Sequence, residues 1–446
     1  MTNSSPRSVA TASGRPVVAA MYSSAVGVDV HLDLLVCCYQ SYDVRNSTTV
    51  TEYANFGTDA PELQKFAQWI RERDPEIVLM ESTGVLWQSA YEALEKVGFT
   101  QQQLALVNAR DVKAAVGRKT DKQDACRLAE YARFGRFKKS FVPRKEFRQM
   151  RTIARAYAKL RNDYARAKNR YQKMLNGIGF RAGTVLRDMR GKSATAILNA
   201  LIGGEADMRK VIRDNCRRLK ATEDEIFDAL NFEIPNGMLR GLKTQRAYVC
   251  FVEKACLEMF ETLREMQKPF EPFIELLLSI TCVKEVSARL LFAEITDDLS
   301  SFATSEQFCS WMGICPGNNI SAGKGHSGKS PKGNKWARRV LTEIAQGIGL
   351  SRNNELKDRF QVFKERRGTK RAIVAMGHKL ARLIYCMFKH GELYSPRKTN
   401  ALHAHRVQKV FRDFRQAVKE HAIKLTDQGI VNTGTGAVLI PARVAS

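Results

Sequence analysis

Short apolar runs alternate with helical patterns along residues 25–134, and this alternation constrains the fold more than any other feature of the sequence. The runs are rich in valine and leucine and alternate in part between apolar and polar residues, which is typical of strands. They lie at 25–39, 47–56, 77–80 and 104–107, and the segments with helical spacing are 60–73, 86–97 and 121–134. Strands that alternate with helices predict an α/β domain.

The chain beyond residue 145 has a helical character. Two long helices are predicted, one from Glu146 to about Leu175 and one from about Leu239 to Met266. The first carries tyrosine, leucine and alanine on a stripe typical of a helix–helix seam, so the two helices can pair as an antiparallel arm. Residues 273–395 are also predicted to be helical, apart from a loop rich in glycine, lysine and serine.

The whole chain has a net charge of +26, and the positive charge is concentrated in one part of it. Residues 1–109 carry 7 lysines and arginines against 12 acidic residues, whereas residues 110–175 carry 21 against 6. Because an ordinary solvated helix face mixes both signs, this excess favours a polyanionic partner, and we expect nucleic acid. An interfacial membrane helix needs an apolar face opposite the basic one, which this sequence does not offer.

Composition argues against several other classes of protein. Hydrophobic residues make up 44% of the chain, and no apolar run approaches the roughly 20 residues that span a bilayer. The ten cysteines form no CxxC pair, which argues against a zinc ribbon or a disulfide framework. The first residues also lack the pattern of a secretory signal. We therefore expect a reduced, cytoplasmic and nucleoid-associated protein.

Four carboxylates stand out by position, namely Asp29, Glu81, Asp121 and Asp124. The first lies within a predicted strand and the second at the carboxyl end of a buried one, where open α/β sheets build their sites. The other two lie three residues apart on a predicted helix and project from one face. Clustered carboxylates repel each other unless a divalent cation joins them, and Mg²⁺ or Mn²⁺ suits oxygen ligands. Two such ions about 4 Å apart are a common device for phosphodiester chemistry.

Each acid taken alone also has an ordinary structural explanation. Asp29 alone is consistent with a charge on an edge strand, and Glu81 alone with a helix cap. Asp121 and Asp124 are consistent with acidic residues in a first helical turn, which offset the helix dipole. The combination favours the metal site, because the stretch KTDKQDA at 119–125 lies in the basic block where nucleic acid is expected to run. Lys119 and Lys122 of this stretch are predicted to contact phosphates.

A second candidate feature is the serine loop, residues 313–339, which reads GICPGNNISAGKGHSGKSPKGNKWARR. Its glycines allow the backbone to approach a phosphate closely, and it contains no Walker A motif. The predicted phosphate contacts are Lys324, Lys329, Lys332, Arg338 and Arg339. A serine can attack a phosphodiester when nearby cations and a base ease its deprotonation, and Ser321, Ser327 and Ser330 are the candidates. By itself, the loop is more typical of a phosphate-binding turn than of a catalytic one.

Three N-terminal motifs, GVDVH at 27–31, ESTG at 81–84 and KTDKQDACRLAEYARFG at 119–135, resemble those of the DEDD transposases of bacterial insertion sequences. The resemblance is to the IS-one-ten and IS-eleven-eleven class, whose relatives include the pilin-gene invertases. Residues 308–341 are similar to the C-terminal loop and helix of this family, and residues 368–394 to its last helix. The resemblance spans about residues 25–394.

This resemblance implies the following organisation of the chain. A RuvC-like α/β domain with the ribonuclease-H fold follows a disordered N-terminus, and a helical coiled-coil arm leads to a mostly α C-terminal transposase domain and a basic tail. The corresponding ranges are 1–24 for the N-terminus, 25–143 for the RuvC-like domain, 144–270 for the arm, 271–395 for the transposase domain and 396–446 for the tail.

The same resemblance implies Mg²⁺-dependent, ATP-independent recombination of donor and target DNA. Its catalytic metal ligands are Asp29, Glu81, Asp121 and Asp124, and its nucleophile is Ser321. A structured guide RNA from the ends of the element and a homo-oligomer, either a dimer or a tetramer, are further expectations.

The chain departs from the family pattern at two places. Where the family has Ser-Ser-Gly in the serine loop, this chain has Ile320-Ser321-Ala322, so that the second serine is kept. Where the family often has a Pro-Gly-Ile-Gly turn, this chain reads TCVK at 281–284, with neither glycine.

Two other functions fit the same residues. A Holliday-junction resolvase uses the four acids with water as the nucleophile, and in that case Ser321→Ala leaves cleavage intact. A non-catalytic nucleic-acid-binding protein uses the acids only to balance the basic block, and it binds without cleaving in Mg²⁺.

Overall fold

The structure is a computed structural model. It describes residues 8–10, 16–18, 20–43, 46, 48–82, 84–108, 120–178, 191–216, 220–230, 234–317, 319–321, 324–327, 330–352, 355–396, 412, 415–416, 418, 420–426 and 429–441. The chain divides into two compact units, Met1–Lys145 and Glu146–Ser446. Among the helices in these ranges, none has the length and apolar character that a membrane crossing requires.

A mixed five-stranded sheet forms the centre of the first unit. A small antiparallel pair, β1 (Ser8–Ala10) and β2 (Pro16–Val18), precedes it. The strands of the five-stranded sheet are β3 (Ser24–Val30), β4 (Leu35–Asp43), β5 (Thr48–Phe56), β6 (Ile77–Glu81) and β7 (Leu104–Val107). The order is β5-β4-β3-β6-β7, with β3, β4 and β5 antiparallel and with β6 and β7 parallel to β3. This is the ribonuclease-H arrangement, which confirms the RuvC-like fold class predicted for the N-terminal part.

The single strand predicted over 25–39 is wrong, because the structure has a hairpin there. β3 ends at Val30 and β4 begins at Leu35, and the His31 amide donates to the Leu34 carbonyl at 2.9 Å. Both strands are apolar and only HLDL separates them, so hydrophobicity alone does not mark the turn. The exposed side chains at 31–33 are the local sign of it.

Helices cover both faces of the sheet. The helices are α1 (Ala60–Arg73), α2 (Trp87–Lys96) and α3 (Asp121–Arg133), close to the three segments predicted from their spacing. Phe66 and Ile70 of α1 and Leu94 of α2 share one core with Val26 and Val28 of β3. On the opposite face, Leu128 and Ala132 of α3 pack with Ala25 and Leu79. Side chains that alternate along β3 therefore belong to two different layers.

The second unit begins with two long helices, as the sequence predicts. They are α4 (Lys145–Gly177) and α8 (Asn236–Gln267), with α5 (Lys192–Gly203), α6 (Met208–Cys216) and α7 (Glu223–Leu230) between them. The Tyr157 and Phe260 rings pack at a tilt with their centroids 5.3 Å apart, and Gln245 donates to the Ala167 carbonyl at 3.4 Å. The contacts run in opposite directions along the two helices, which confirms the antiparallel pairing.

The remaining helices surround a core of aliphatic and aromatic residues that include Phe292, Phe308, Leu341 and Leu380. They are α9 (Glu271–Leu278), α10 (Glu285–Ile295), α11 (Ser305–Trp311), α12 (Lys335–Leu350), α13 (Lys357–Arg367) and α14 (Thr369–His390). A hairpin of β8 (Asn319–Ser321) and β9 (Lys324–Ser327) lies in the serine loop. β10 (Ile423–Thr426), β11 (Gly429–Asn432) and β12 (Val438–Pro441) form an antiparallel sheet in the C-terminal tail. The domain boundaries given from the sequence stay predictions.

Candidate active site

Three polar side chains belong to the face of the sheet that α3 covers. On β3, Ala25 packs on the α3 side, so the alternation of a strand places Asp29 on that side as well. On β6, Leu79 packs on the same side, and Glu81 follows two residues later at the end of the strand. His31 stands two residues after Asp29, in the turn that follows β3.

Close packing of α3 on β3 brings the start of that helix to these residues. A β-carbon built on Gly27 would lie 2.1 Å from the Ala125 carbonyl oxygen and 2.3 Å from the Ala129 amide nitrogen. Because the position has no side chain, the helix backbone rests directly on the strand. Thr120 caps the helix by accepting a hydrogen bond from the Gln123 amide, so that Asp121 is its first residue.

The structure brings together Asp29, His31 and Asp121. His31 Nε2 lies 3.0 Å from Asp29 Oδ2 and 3.8 Å from Asp121 Oδ1. One ligand atom from each of the three residues lies within 4.8 Å of the others. Asp29 is buried and the other two side chains are exposed, so the group opens to solvent on one side.

Several carboxylates lie close together at this site, and their charges affect one another. Burial raises the pKa of Asp29 above its usual value, and the neighbouring carboxylates Asp124 and Asp121 raise it further. His31 acts in the opposite direction through its hydrogen bond and its charge. A cation between the carboxylates relieves the same repulsion, so the donor set fits a bound divalent metal.

The other two predicted acids lie at the edge of this group. Asp124 is half-buried one turn along α3 from Asp121 and forms an ion pair with Arg127 at 2.9 Å. Glu81 ends β6, and the register Val28↔Met80 makes it the neighbour of Asp29 on the adjacent strand. In the described part of the chain, the group within 4.8 Å contains neither of these two carboxylates.

The residue that the sequence analysis did not assign is His31. It stands inside the GVDVH motif, where the charge of Asp29 indicates a metal ligand and charge alone does not mark the histidine. The available signal was its spacing, because residues two apart in a strand point to the same face. Of the two lysines predicted beside the helix acids, Lys122 is exposed, and Lys119 lies outside the described residues.

The serine loop of the second unit carries Ser321 on a short hairpin. The backbone register is Asn319↔Ser327, Ile320↔Gly325 and Ser321↔Lys324. Ser321 is therefore the last residue of β8, and its strand partner is a lysine. The side chains of 319–327 lie outside the described residues, so the serine is placed by its backbone alone.

A buried carboxylate anchors the C-terminal end of this loop. Glu294 at the end of α10 is 2% exposed and receives two hydrogen bonds of 2.8 Å from the Arg155 guanidinium. The Asn334 side chain donates to the same carboxylate at 2.7 Å, and its oxygen caps α12 by accepting from the Trp336 and Ala337 amides. Paired, hydrogen-bonded geometry of this kind is what a buried charge requires.

The basic residues predicted in the loop have different environments. Lys332 is exposed and Arg338 is half-buried. Arg339 is engaged within the unit, since its Nε donates to Glu343 at 2.8 Å and its Nη2 to Asn162 at 3.0 Å. Lys324 is described by its backbone only, and Lys329 lies outside the described residues.

Comparison with known proteins identifies two stretches of the chain. Residues 26–180 match the family model for DEDD transposases of the IS110 class, described as Transposase, and residues 274–361 match the Transposase IS116/IS110/IS902 family. The two matches together cover more than half of the chain. A comparison with curated proteins gave no match.

Solved structures similar to the chain include RuvC proteins. Thermus thermophilus RuvC aligns over 26% of this chain and 99% of its own, with 14% sequence identity and a TM-score of 0.21. T. thermophilus RuvC in complex with a Holliday junction substrate aligns over the same shares, with 15% identity and a TM-score of 0.21.

Proposed function

This chain belongs to the IS110 class of transposases, and from that premise we propose that it cuts and rejoins DNA through a covalent phosphoserine intermediate on Ser321. A divalent cation, Mg²⁺ or Mn²⁺, supports this chemistry at the acidic site. The observation that carries the metal part of the proposal is the grouping of Asp29, His31 and Asp121 within 4.8 Å, beside Asp124 and Glu81.

The acids have a binding and orienting role. Asp29 is held by the packing of α3 on Gly27, so that its carboxylate meets the first turn of the helix in a fixed position. Asp121 and Asp124 add negative charge beside Asp29, and a bound cation relieves the repulsion between these carboxylates. A bound cation there supplies charge neutralisation at a scissile phosphate and at the leaving oxygen.

The serine step conserves the number of phosphorus–oxygen bonds. Ser321 Oγ forms a bond to phosphorus, the bond to the 3′ oxygen breaks, and the serine proton leaves to a base while the 3′ oxygen gains one. In the reverse direction, the 3′ hydroxyl of another strand attacks the phosphoserine and restores the serine. Because one phosphodiester replaces another, the exchange needs no ATP. Lys324 pairs with Ser321 in the backbone register of the hairpin, and a cation of this kind suits contact with a phosphate.

The partners proposed for this activity are donor DNA, target DNA and a structured guide RNA. The exposed basic residues of α4, among them Lys159, Arg166 and Lys173, suit a phosphate backbone. Strand exchange requires at least two cut strands, so we also propose a homo-oligomer, as a dimer or a tetramer. Such a protein acts in the cytoplasm at the nucleoid.

Trapping the covalent adduct tests the proposal. Purified full-length protein is incubated with end-labelled element DNA and its RNA in Mg²⁺, and the denatured products are analysed for protein-linked DNA. We expect an adduct with the unmodified protein, no adduct with Ser321→Ala, and an adduct with Ser330→Ala, a matched serine of the same loop. Normal cleavage by Ser321→Ala without any adduct overturns the serine mechanism in favour of a water-using resolvase.

The metal part has a separate test. Asp29→Asn and Asp121→Asn keep the size of each side chain and remove its charge. We expect both variants to lose adduct formation and to bind DNA as tightly as, or more tightly than, the unmodified protein, because negative charge has been removed. Recombination at the normal rate by the double variant in Mg²⁺ contradicts the metal site.

A further inference from the structure

His31 lies within 4 Å of both Asp29 and Asp121. Its Nε2 atom faces both Asp29 Oδ2, at 3.0 Å, and Asp121 Oδ1, at 3.8 Å. Its side chain is 44% exposed, so packing does not force the ring into this position. The four acids predicted from the sequence are all oxygen donors, and this nitrogen adds a different kind of donor atom to the same place.

The separations agree with those of ligands that share one ion. Oxygen and nitrogen ligands lie about 2.1 Å from a small divalent cation, and two such atoms are therefore about 3 to 4 Å apart, depending on the angle between them. Both distances from the His31 nitrogen fall in this interval. The Asp29, His31 and Asp121 donors also come from a strand, a turn and a helix start, so they approach a common point from three directions.

A histidine that only orients a ligand donates to one carboxylate, and the 3.0 Å hydrogen bond between Nε2 and Asp29 by itself fits that role. The observation that goes further is the second carboxylate, Asp121, which lies 3.8 Å from the same nitrogen. Here the same nitrogen, Nε2, is the atom nearest to both carboxylates. This is the position of a member of the ligand group.

We propose that His31 is a nitrogen ligand of the divalent cation, together with oxygens of Asp29 and Asp121. This inference rests on the metal site of the proposed function and adds its selectivity. Imidazole nitrogen is a better donor for Mn²⁺ and Co²⁺ than for Mg²⁺, which keeps to oxygen. The site therefore binds manganese more tightly than magnesium, and His31 is the residue that makes the difference.

Pulsed electron paramagnetic resonance of Mn²⁺ tests the assignment directly, because a nitrogen bound to the ion modulates its signal. Full-length protein is loaded with less than one equivalent of Mn²⁺, with His31→Gln as the variant and His390→Gln as the control. His390 is an exposed histidine at the end of α14. Glutamine keeps a polar side chain and offers oxygen in place of nitrogen. We expect nitrogen modulation in the unmodified protein and in the control, and none in His31→Gln.

Calorimetric titration gives a second measurement that does not depend on activity. We expect His31→Gln to weaken Mn²⁺ binding at least about tenfold and to weaken Mg²⁺ binding much less. Bound Mn²⁺ without nitrogen modulation, or an equal loss for both ions, overturns the His31 assignment and leaves the acidic site in place. Mn²⁺ binding that is the same in Asp29→Asn/Asp121→Asn as in the unmodified protein overturns the metal site itself.

Discussion

Gly313 and Gly333 pack backbone against backbone at the base of the serine loop. A β-carbon on Gly333 would lie 2.3 Å from the Gly313 amide nitrogen, and Gly313 has a φ of +68°, which disfavours any other residue. The Asn334 amide also donates to the Trp311 carbonyl at 2.8 Å. The two ends of the segment that carries Ser321 are therefore held together, and this contact is the base of the loop.

Gly333→Ala should open this base. The added methyl group meets backbone atoms that have no room to move, so we expect the free energy of unfolding to fall by about 1 to 3 kcal/mol. We also expect the segment 314–332 to be cleaved faster by a protease and adduct formation on Ser321 to fall. Urea unfolding and limited proteolysis measure the first two effects.

Gly347→Ala is the matched control, since a β-carbon there meets nothing within 4 Å and the residue lies inside α12. Alanine in a helix interior should raise stability by about 0.5 to 1 kcal/mol. Equal stability of the two alanine variants contradicts the closing role of the glycine pair.

Glu294→Gln should destabilise the second unit. The variant leaves the Arg155 and Arg151 guanidinium groups beside a neutral amide, and Arg151 is itself largely buried against the end of α10. We expect a loss of about 2 to 3 kcal/mol in the free energy of unfolding, below the full cost of breaking a buried pair because Arg155 is partly exposed.

Glu343→Gln removes a carboxylate from an exposed pair with Arg339 and serves as the control. Such surface pairs contribute less than about 1 kcal/mol. Urea unfolding monitored by tryptophan fluorescence compares the two variants. If both lose the same stability, Glu294 does not anchor the loop.

The parts of the fold that the sequence predicted are those that depend on neighbouring residues. The alternation of apolar runs located β5, β6 and β7, and helical spacing located α1, α3, α4 and α8 to within a few residues. The position of Asp29 inside a strand also followed from local pattern. The hairpin after Val30 was missed, because a four-residue turn between two apolar strands leaves no gap in hydrophobicity.

The parts that the sequence did not predict depend on pairs far apart in the chain. Arg155 and Glu294 are separated by 139 positions, and no local pattern connects them. The contact of Gly27 with Ala125 joins a strand to a helix about a hundred residues later, and it decides where Asp121 lies. The sheet in the tail was not predicted either, since short strands without alternation have little signal.

The turn at 281–284 places Cys282 in a backbone conformation that a residue with a β-carbon does not favour. Cys282 has a φ of +72°, although the chain lacks the glycines that the family often has there. A left-handed backbone costs a residue with a β-carbon about 1 kcal/mol or more. We therefore expect Cys282→Gly to raise the free energy of unfolding by about 1 kcal/mol, as measured by urea titration.

The control makes the same substitution in a helix. Cys386→Gly lies on the exposed side of α14, where glycine is a poorer helix former than cysteine, and it should lower stability by a few tenths of a kcal/mol. Opposite signs for the two glycine variants support the strained turn. A loss of stability in Cys282→Gly contradicts it.

The exposed basic face of α4 should set the salt dependence of DNA binding. Lys159, Arg166 and Lys173 are exposed and follow at intervals of seven, so they lie along one side of the helix. Each phosphate contact adds about 0.9 to the slope of log affinity against log salt on duplex DNA, so changing all three to glutamine should reduce that slope by up to about 2.7. Fluorescence anisotropy with a fixed duplex between low and moderate salt measures this slope.

The control is a variant with Lys65, Arg71 and Lys96 changed to glutamine. It removes the same charge from the acidic N-terminal segment and should keep most of the slope. An equal reduction in both variants means that net charge, and no contact along α4, governs the binding.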